Sequence, residues 1–158
     1  MFTGVITITA KIISINAIKD NYSVILEYFE SKKMLKGESI AIDGICMSVT
    51  SHNKQQISFS LAKDIFEASN FTLNKIVNIE RAMRTNNEKR GHFITGKIDQ
   101  LGTIKYSKIV NNTALLTIGN INENQLQYLF PKCVIAINGV SLAIQSINGN
   151  TLSIKISS

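Results

Sequence analysis

Two related modules in an all-β chain are the fold that this sequence predicts, on three observations. The block Ile40-Ala41-Ile42-Asp43-Gly44-Ile45-Cys46-Met47-Ser48-Val49 returns as Ile135-Ala136-Ile137-Asn138-Gly139-Val140-Ser141-Leu142-Ala143-Ile144. The entry to each half repeats as well, since Thr3-Gly4 followed by Ile6, Ala10 and Ile12 lines up with Thr95-Gly96 followed by Ile98, Gly102 and Ile104. Elsewhere β-branched residues dominate short runs bounded by turn residues, which is the signature of strands.

In the first module, strands are expected around Val5 to Ile15, Tyr22 to Tyr28, Glu38 to Ile42, Cys46 to Ser51, Gln56 to Leu61 and Ile76 to Arg81. Apolar spacing shifts towards a helical period near Ser31 to Leu35 and Lys63 to Ser69, which predicts short helices there. The second module is expected to open with a strand from Ile94 to Tyr106 and to continue with Thr113 to Ile118 and a short helix at Glu123 to Leu129. Strands at Cys133 to Ile137, Ser141 to Ile147 and Thr151 to Ile156 follow, with Asn148-Gly149-Asn150 as a hairpin turn that needs positive φ. A polar, charged stretch from Met83 to Arg90 reads as the connection, giving modules of residues 1–88 and 89–158.

Size and composition agree with that division. A chain of 158 residues can be split only into modules of roughly 80, each with a modest core. With 44% hydrophobic residues and no Trp, such modules are expected to lean on each other or on a partner chain. The net charge of +6 permits binding of nucleic acid or of an anionic small molecule. The local cluster Arg81, Arg84, Lys89, Arg90 and His92 is interrupted by Glu80 and Glu88 and has no interleaved aromatic residues for base stacking, so a solvated connection is the better reading. Cys46 and Cys133 sit in apolar runs without metal-ligand spacing, which argues against a zinc site and for a reducing, cytoplasmic setting. The start of the chain lacks the basic and long apolar regions of a signal peptide, and no stretch is long and apolar enough for a membrane span.

Strand counting leaves the second module short. Counterparts of Lys63-to-Ser69 and of Val77-Asn78-Ile79-Glu80 are missing before Ser158, so a further segment is expected beyond it, and an unclosed sheet exposes an edge.

Several motifs in register carry a specific resemblance: Met1-Phe2-Thr3-Gly4-Val5, the Gly-x-Cys-x-Ser-Val run at Gly44 to Val49, Val77-Asn78-Ile79-Glu80-Arg81-Ala82, Gly91-His92-Phe93-x-x-Gly96, and Asn138-Gly139-Val140-Ser141-Leu142. Together they resemble the riboflavin synthase family from the first residue to the last. The resemblance implies two tandem six-stranded Greek-key barrels, here with the second lacking its last strand, followed in the family by a C-terminal helix that holds a homotrimer. Residues 1–158 alone are therefore expected to assemble weakly and turn over little, and a longer chain to form active trimers. The implied reaction is a dismutation in which two molecules of 6,7-dimethyl-8-ribityllumazine exchange a four-carbon unit to give riboflavin and a ribitylamino-pyrimidinedione. No metal or redox cofactor is implied. Each family active site lies between the N-terminal barrel of one subunit and the C-terminal barrel of its neighbour.

Carried over position by position, the resemblance assigns the backbone of Gly4, Val5 and Ile6 to the ring, with Phe2 and Thr3 at the same mouth. Ser39, Cys46 and Ser48 match polar positions of the N-terminal site, with Met47, Ser60 and Lys63 also on the substrate side. A free cysteine is commonly a small buried hydrophobe, but the motif match assigns Cys46 to the site. In the second module Gly96, Lys97 and Ile98 match Gly4 to Ile6, Ser141, Leu142 and Ala143 match Cys46 to Ser48, and Lys132 matches a basic position that reaches a neighbouring subunit's ligand. Ser39, Cys46, Ser48 and Lys97 are the candidate catalytic residues. The family has His where Lys97 stands, Thr where Ala143 stands and an acidic residue where Ser60 stands. Lys97 can donate to a carbonyl, but it is a poor base at neutral pH unless burial lowers its pKa.

His92 is expected to be structural, at the turn between modules, and His52 to be an exposed turn residue. Neither belongs to a Ser-His-carboxylate pattern, so hydrolase chemistry has no support. An enzyme of the riboflavin synthase type is the leading reading. A non-catalytic lumazine- or flavin-binding relative is the alternative, favoured by Lys97 and Ala143, and a nucleic-acid-binding barrel has only the positive charge behind it.

Overall fold

Alternation of apolar and polar side chains organises the strands of the computed structural model, which describes residues 1–28, 34–84 and 91–157. In the run from Ile45 to Val49, the odd-numbered residues are buried while Cys46 and Ser48 face outward. The first compact unit comprises Met1–Ile98 together with Asn138–Val140. It contains β1 (Ile8–Ile18), β2 (Asn21–Glu27), β3 (Ser39–Ile42), β4 (Ile45–His52), β5 (Gln56–Ala62), α1 (Lys63–Glu67) and β6 (Ile76–Arg81).

These strands form a closed barrel in the order β1-β2-β5-β4-β3-β6. Closure depends on β6, which pairs antiparallel with β3 on one side and β1 on the other. Ile12, Leu26, Ile40, Ile57 and Val77 fill the interior with no solvent exposure, each contributing about 1.5–3 kcal/mol relative to an exposed position. The turn between β3 and β4 is a two-residue hairpin in which Asp43 and Gly44 adopt φ of 47° and 85°, a conformation that Asp-Gly accepts at little cost. The Asp43 carboxylate accepts hydrogen bonds from Asn78 N (2.8 Å) and Lys75 Nζ (2.7 Å), which ties this turn to β6.

The second unit, Asp99–Ile137 with Ser141–Ser158, contains β7 (Thr103–Val110), β8 (Thr113–Gly119), α2 (Glu123–Leu126), β9 (Val134–Ile137), β10 (Val140–Asn148) and β11 (Thr151–Ser157). Its sheet runs β7-β8-β11-β10-β9, the order of the first five barrel strands. Among the described residues no strand occupies the place that β6 takes in the first unit. The core is correspondingly small, centred on Ile118, Ile121, Ile144, Leu152 and Ile154. The turn at Asn138 and Gly139 repeats the positive φ values of Asp43 and Gly44, at 47° and 80°.

Several expectations shift. The strand expected from Ile94 to Tyr106 begins only at Thr103, because Ile94 instead bridges to Phe2 and Gly96 turns the backbone at φ 83°. The first strand starts at Ile8 rather than Val5, since Gly4 sits at φ 75° and interrupts extended geometry. The division of compact units falls after Ile98, so residues 91–98 pack with the first unit although the repeat starts there. His52 ends β4 half-buried, with its ring edge-on to Tyr28 at 6.2 Å, rather than in an exposed turn. The helix expected near Ser31 to Leu35 falls mostly on residues 29–33, outside the described residues, as does the 85–90 part of the expected connection. No helix among the described residues is long and apolar enough to cross a membrane.

Candidate functional site

Outward-facing positions of β3, β4 and β5 form a strip of small polar side chains on the first unit. Ser39 pairs directly with Ser48, and Ala41 with Cys46, across the β3–β4 hairpin. On the other side of β4, Val49 pairs with Phe59, which puts Ser48 and Ser60 next to one another's strands beside that pair. Cys46, Ser48 and Ser60 are exposed, Ser39 is half-buried, and exposed Lys63 opens α1 where β5 ends. Met47 points the other way, into the barrel core at 6% exposure, as strand alternation demands.

The N-terminal residues are fastened beside this strip. Phe2 is buried at 1% exposure and exchanges both backbone hydrogen bonds with Ile94, at 2.8 and 2.9 Å. His92 N donates to Thr3 O at 2.9 Å and Met83 N to Met1 O at 2.9 Å, so the first residues lie between the end of β6 and residues 91–94. His92 itself is exposed, and the contact is made by its backbone N–H. Cys46 N donates to Gly96 O at 2.8 Å, bringing Gly96, Lys97 and Ile98 to the start of β4. The approach tolerates no side chain at Gly96, where a Cβ would stand 2.6 Å from Cys46 Cβ and 2.9 Å from Phe2 Cε2. Gly91 is similarly constrained, a Cβ there meeting Thr3 O at 2.5 Å. Val5, Lys97 and Ile98 are exposed around this junction and Ile6 is half-buried.

Sequence reasoning missed Glu80. Its carboxylate is buried at 8% exposure and accepts three hydrogen bonds: Thr3 N (2.6 Å) and Thr3 Oγ1 (2.7 Å) on Oε1, and Gly4 N (2.9 Å) on Oε2. No local signal marked it, because Val77-Asn78-Ile79-Glu80 alternates apolar and polar and puts Glu80 at an ordinary outward position.

Glu38 and Arg81 form a second polar centre, with Arg81 Nε donating to Glu38 Oε1 at 2.8 Å. Arg81 is thus a half-buried partner rather than part of a solvated cluster. Burial pushes the Glu38 carboxyl up, but hydrogen bonds from Arg81 and Leu35 N–H, with the charges of Arg81 and Arg84, outweigh it and hold the group below its usual range. A shallow, open hollow is lined by Leu35, Lys36, Glu38, Ala82, Met83 and Arg84, and none of the residues expected from the sequence lines it.

Within the second unit, Lys132 adopts φ 75° and its N–H donates to Ile144 O at 2.7 Å. Lys132 and Ala143 are exposed, Ser141 and Leu142 half-buried, and Leu142 packs against the second core. No three His, Cys, Asp or Glu residues converge as a metal site among the described residues.

With that geometry in view, residues 3–82 match the lumazine binding domain model. Riboflavin synthase of Buchnera aphidicola subsp. Schizaphis graminum is 31% identical over 99% of this chain and 77% of its own length. The chain belongs to the riboflavin synthase and lumazine-binding family. Riboflavin synthase of Escherichia coli is 33% identical over 91% of this chain and 70% of that protein, and that of Bacillus subtilis is 31% identical over 99% and 74%. The fold matches that of LumP complexed with riboflavin at TM-score 0.86, with 20% identity over 98% of this chain and 86% of LumP. LumP complexed with 6,7-dimethyl-8-(1'-D-ribityl) lumazine aligns at TM-score 0.82, with 21% identity over 99% of this chain and 86% of LumP. Lys97 and Ala143 are exposed, and Cys46 and Ser48 present a thiol and a hydroxyl outward.

Proposed function

We propose that this protein binds 6,7-dimethyl-8-ribityllumazine on the outward face of the first barrel and acts as a riboflavin synthase, moving a four-carbon unit between two copies of that compound. The observation that carries the reading is the convergence of the Gly4, Cys46 and Gly96 segments at one place, through Phe2–Ile94 pairing and the Cys46 N to Gly96 O bond. Relatives named riboflavin synthase at about 30% identity over nearly the whole chain support the same activity.

The lumazine is electron-poor, so its 7-methyl group is an acidic carbon acid and its ring carbon accepts nucleophiles. Two copies supply both partners, and their electrons redistribute without an external oxidant or reductant. The protein's contribution is then chiefly alignment, which is worth several orders of magnitude in rate when two reactants are held in register. Backbone groups of Gly4 to Ile6 read the pyrimidine edge. Ser39, Cys46 and Ser48 hydrogen-bond the ring and assist addition at the electrophilic carbon, with Ser60 and Lys63 towards the ribityl chain. Lys97 supplies a donor for developing negative charge. Lys132, with Ser141, Leu142 and Ala143, serves the second lumazine from the second unit. Because the polar strip is on the outside of a barrel, a ligand there is covered only by another folded surface, which supports a homo-oligomer in which a second copy completes each site.

Incubation with the lumazine, followed by riboflavin absorbance and fluorescence, tests the proposal. One riboflavin is expected per two lumazines consumed, with activity per chain falling on dilution as complete sites dissociate. Cys46→Ala is expected to lower kcat/KM at least about tenfold, in line with loss of one positioned catalytic group. Binding without turnover would favour a lumazine- or flavin-binding protein, the reading that Lys97, Ala143 and the likeness to LumP support. No binding would remove both.

A further inference from the structure

We propose that Glu80 is a positioning residue of the lumazine site, its carboxylate setting the path of the Thr3–Gly4 backbone so that Gly4 to Ile6 face the ligand. The inference rests on the functional reading above and adds to it a group that touches the protein backbone rather than the substrate.

The burial of Glu80 is irregular for its strand. Val77 and Ile79 are buried in the barrel, so alternation would turn Glu80 outward to water, yet it is covered. The groups bonded to its carboxylate are Thr3 and Gly4, and every bond runs from an N–H or O–H to a carboxylate oxygen. Such charge-assisted bonds are about twice as strong as neutral ones and fix direction as well as distance. Thr3 Oγ1 in turn accepts from Val5 N at 3.2 Å, so the carboxylate's influence extends to the third residue of the segment. Gly4 meanwhile holds a left-handed φ of 75°, a conformation in which glycine has no steric preference and needs an external constraint to stay put. On the far side of the segment, Thr3 O is occupied by His92 N. The N-terminal segment is therefore held from both flanks, and Glu80 is the flank that bonds Gly4 itself.

Glu80→Gln is the informative change because it preserves shape. An amide presents one acceptor and one NH2 group, so in either orientation an N–H of Thr3 or Gly4 faces a donor and loses its partner. Binding of 6,7-dimethyl-8-ribityllumazine to the full chain, read by its fluorescence, is compared for the unaltered protein, Glu80→Gln and Ile79→Val, alongside kcat and KM and the amide exchange of Gly4. Glu80→Gln is expected to weaken binding at least tenfold and to release Gly4 exchange. Ile79→Val, which trims the neighbouring core and lowers the melting temperature without touching the segment, should stay within twofold. Full affinity in Glu80→Gln, or an equal loss in Ile79→Val, would overturn the positioning role while leaving the functional reading intact. Absence of lumazine binding by the unaltered protein would overturn the functional reading and this role with it.

Discussion

The closed barrel and the five-stranded sheet share a strand order, yet equivalent places in them have opposite fates. Ile12 of β1, a strand flanked by β2 and β6, has no exposure, whereas its counterpart Ile104 of β7 is 64% exposed on a strand that pairs, among the described residues, with β8 alone. All residues of β7 are exposed, while β1 and β3 each bury residues against β6. One strand that completes a ring thus covers the interior and also removes two edges of unpaired backbone, so its effect on burial far exceeds its own side chains.

Core truncation should expose this contrast most strongly. Ile40→Ala, at a fully buried barrel position, is expected to cost about 2–5 kcal/mol, and Ile109→Ala in β7 to stay within about 0.5 kcal/mol, both by denaturant unfolding. A large loss at Ile109 would mean that β7 is covered in solution. Next in size is a pair of glycines with the same backbone and different surroundings. Gly96 and Gly37 have φ of 83° and 85°, but only Gly96 has neighbours that a Cβ would strike. Each Ala substitution carries about 1–2 kcal/mol for the left-handed backbone, and Gly96→Ala should add about 1–3 kcal/mol of overpacking together with loss of lumazine binding. Equal effects at the two sites would show that the Cys46–Gly96 approach relaxes freely.

Hydrogen exchange offers a smaller but position-by-position reading. Amides of β6 should exchange at least about tenfold more slowly than those of β7 that face away from β8. Uniform protection along β7 would reveal a partner on its open edge. The finest effect is electrostatic and belongs to the barrel alone. Since the folded Glu38 carboxyl is held below its ordinary value of about 4.3, its contribution is complete above that pH and disappears as the pH falls through the lowered folded value. Glu38→Gln should therefore be less stable than the unaltered protein at pH 7, by about 1 kcal/mol, with the difference closing in acid. A gap that persists at pH 2 would assign the effect to packing.

Some of this could be read before folding. Ile76–Arg81 forms a strand with the expected ends, and the boundaries of β2, β3, β4 and β5 fall within a residue or so of expectation, because alternation and turn residues are local properties. The outward placement of Cys46 and Ser48 follows from the same alternation once Ile45, Met47 and Val49 are assigned to the core. The run from Ile94 to Tyr106 was misread for the complementary reason: its β-branched residues suit a strand, but its pairing is decided by Phe2, which lies far away in the chain.

By itself, then, the sequence determined an all-β chain with a repeated hairpin, and which side chains of each strand share a face, since periodicity, turn chemistry and side-chain alternation act over a few residues. Only the tertiary structure decided that the N-terminal residues lie between β6 and residues 91–94, that Gly96 abuts Cys46, and that Glu80 bonds Thr3 and Gly4. Those contacts join residues separated by up to 92 positions. No local preference encodes them, because a buried carboxylate finds its donors only when closure of the barrel delivers them.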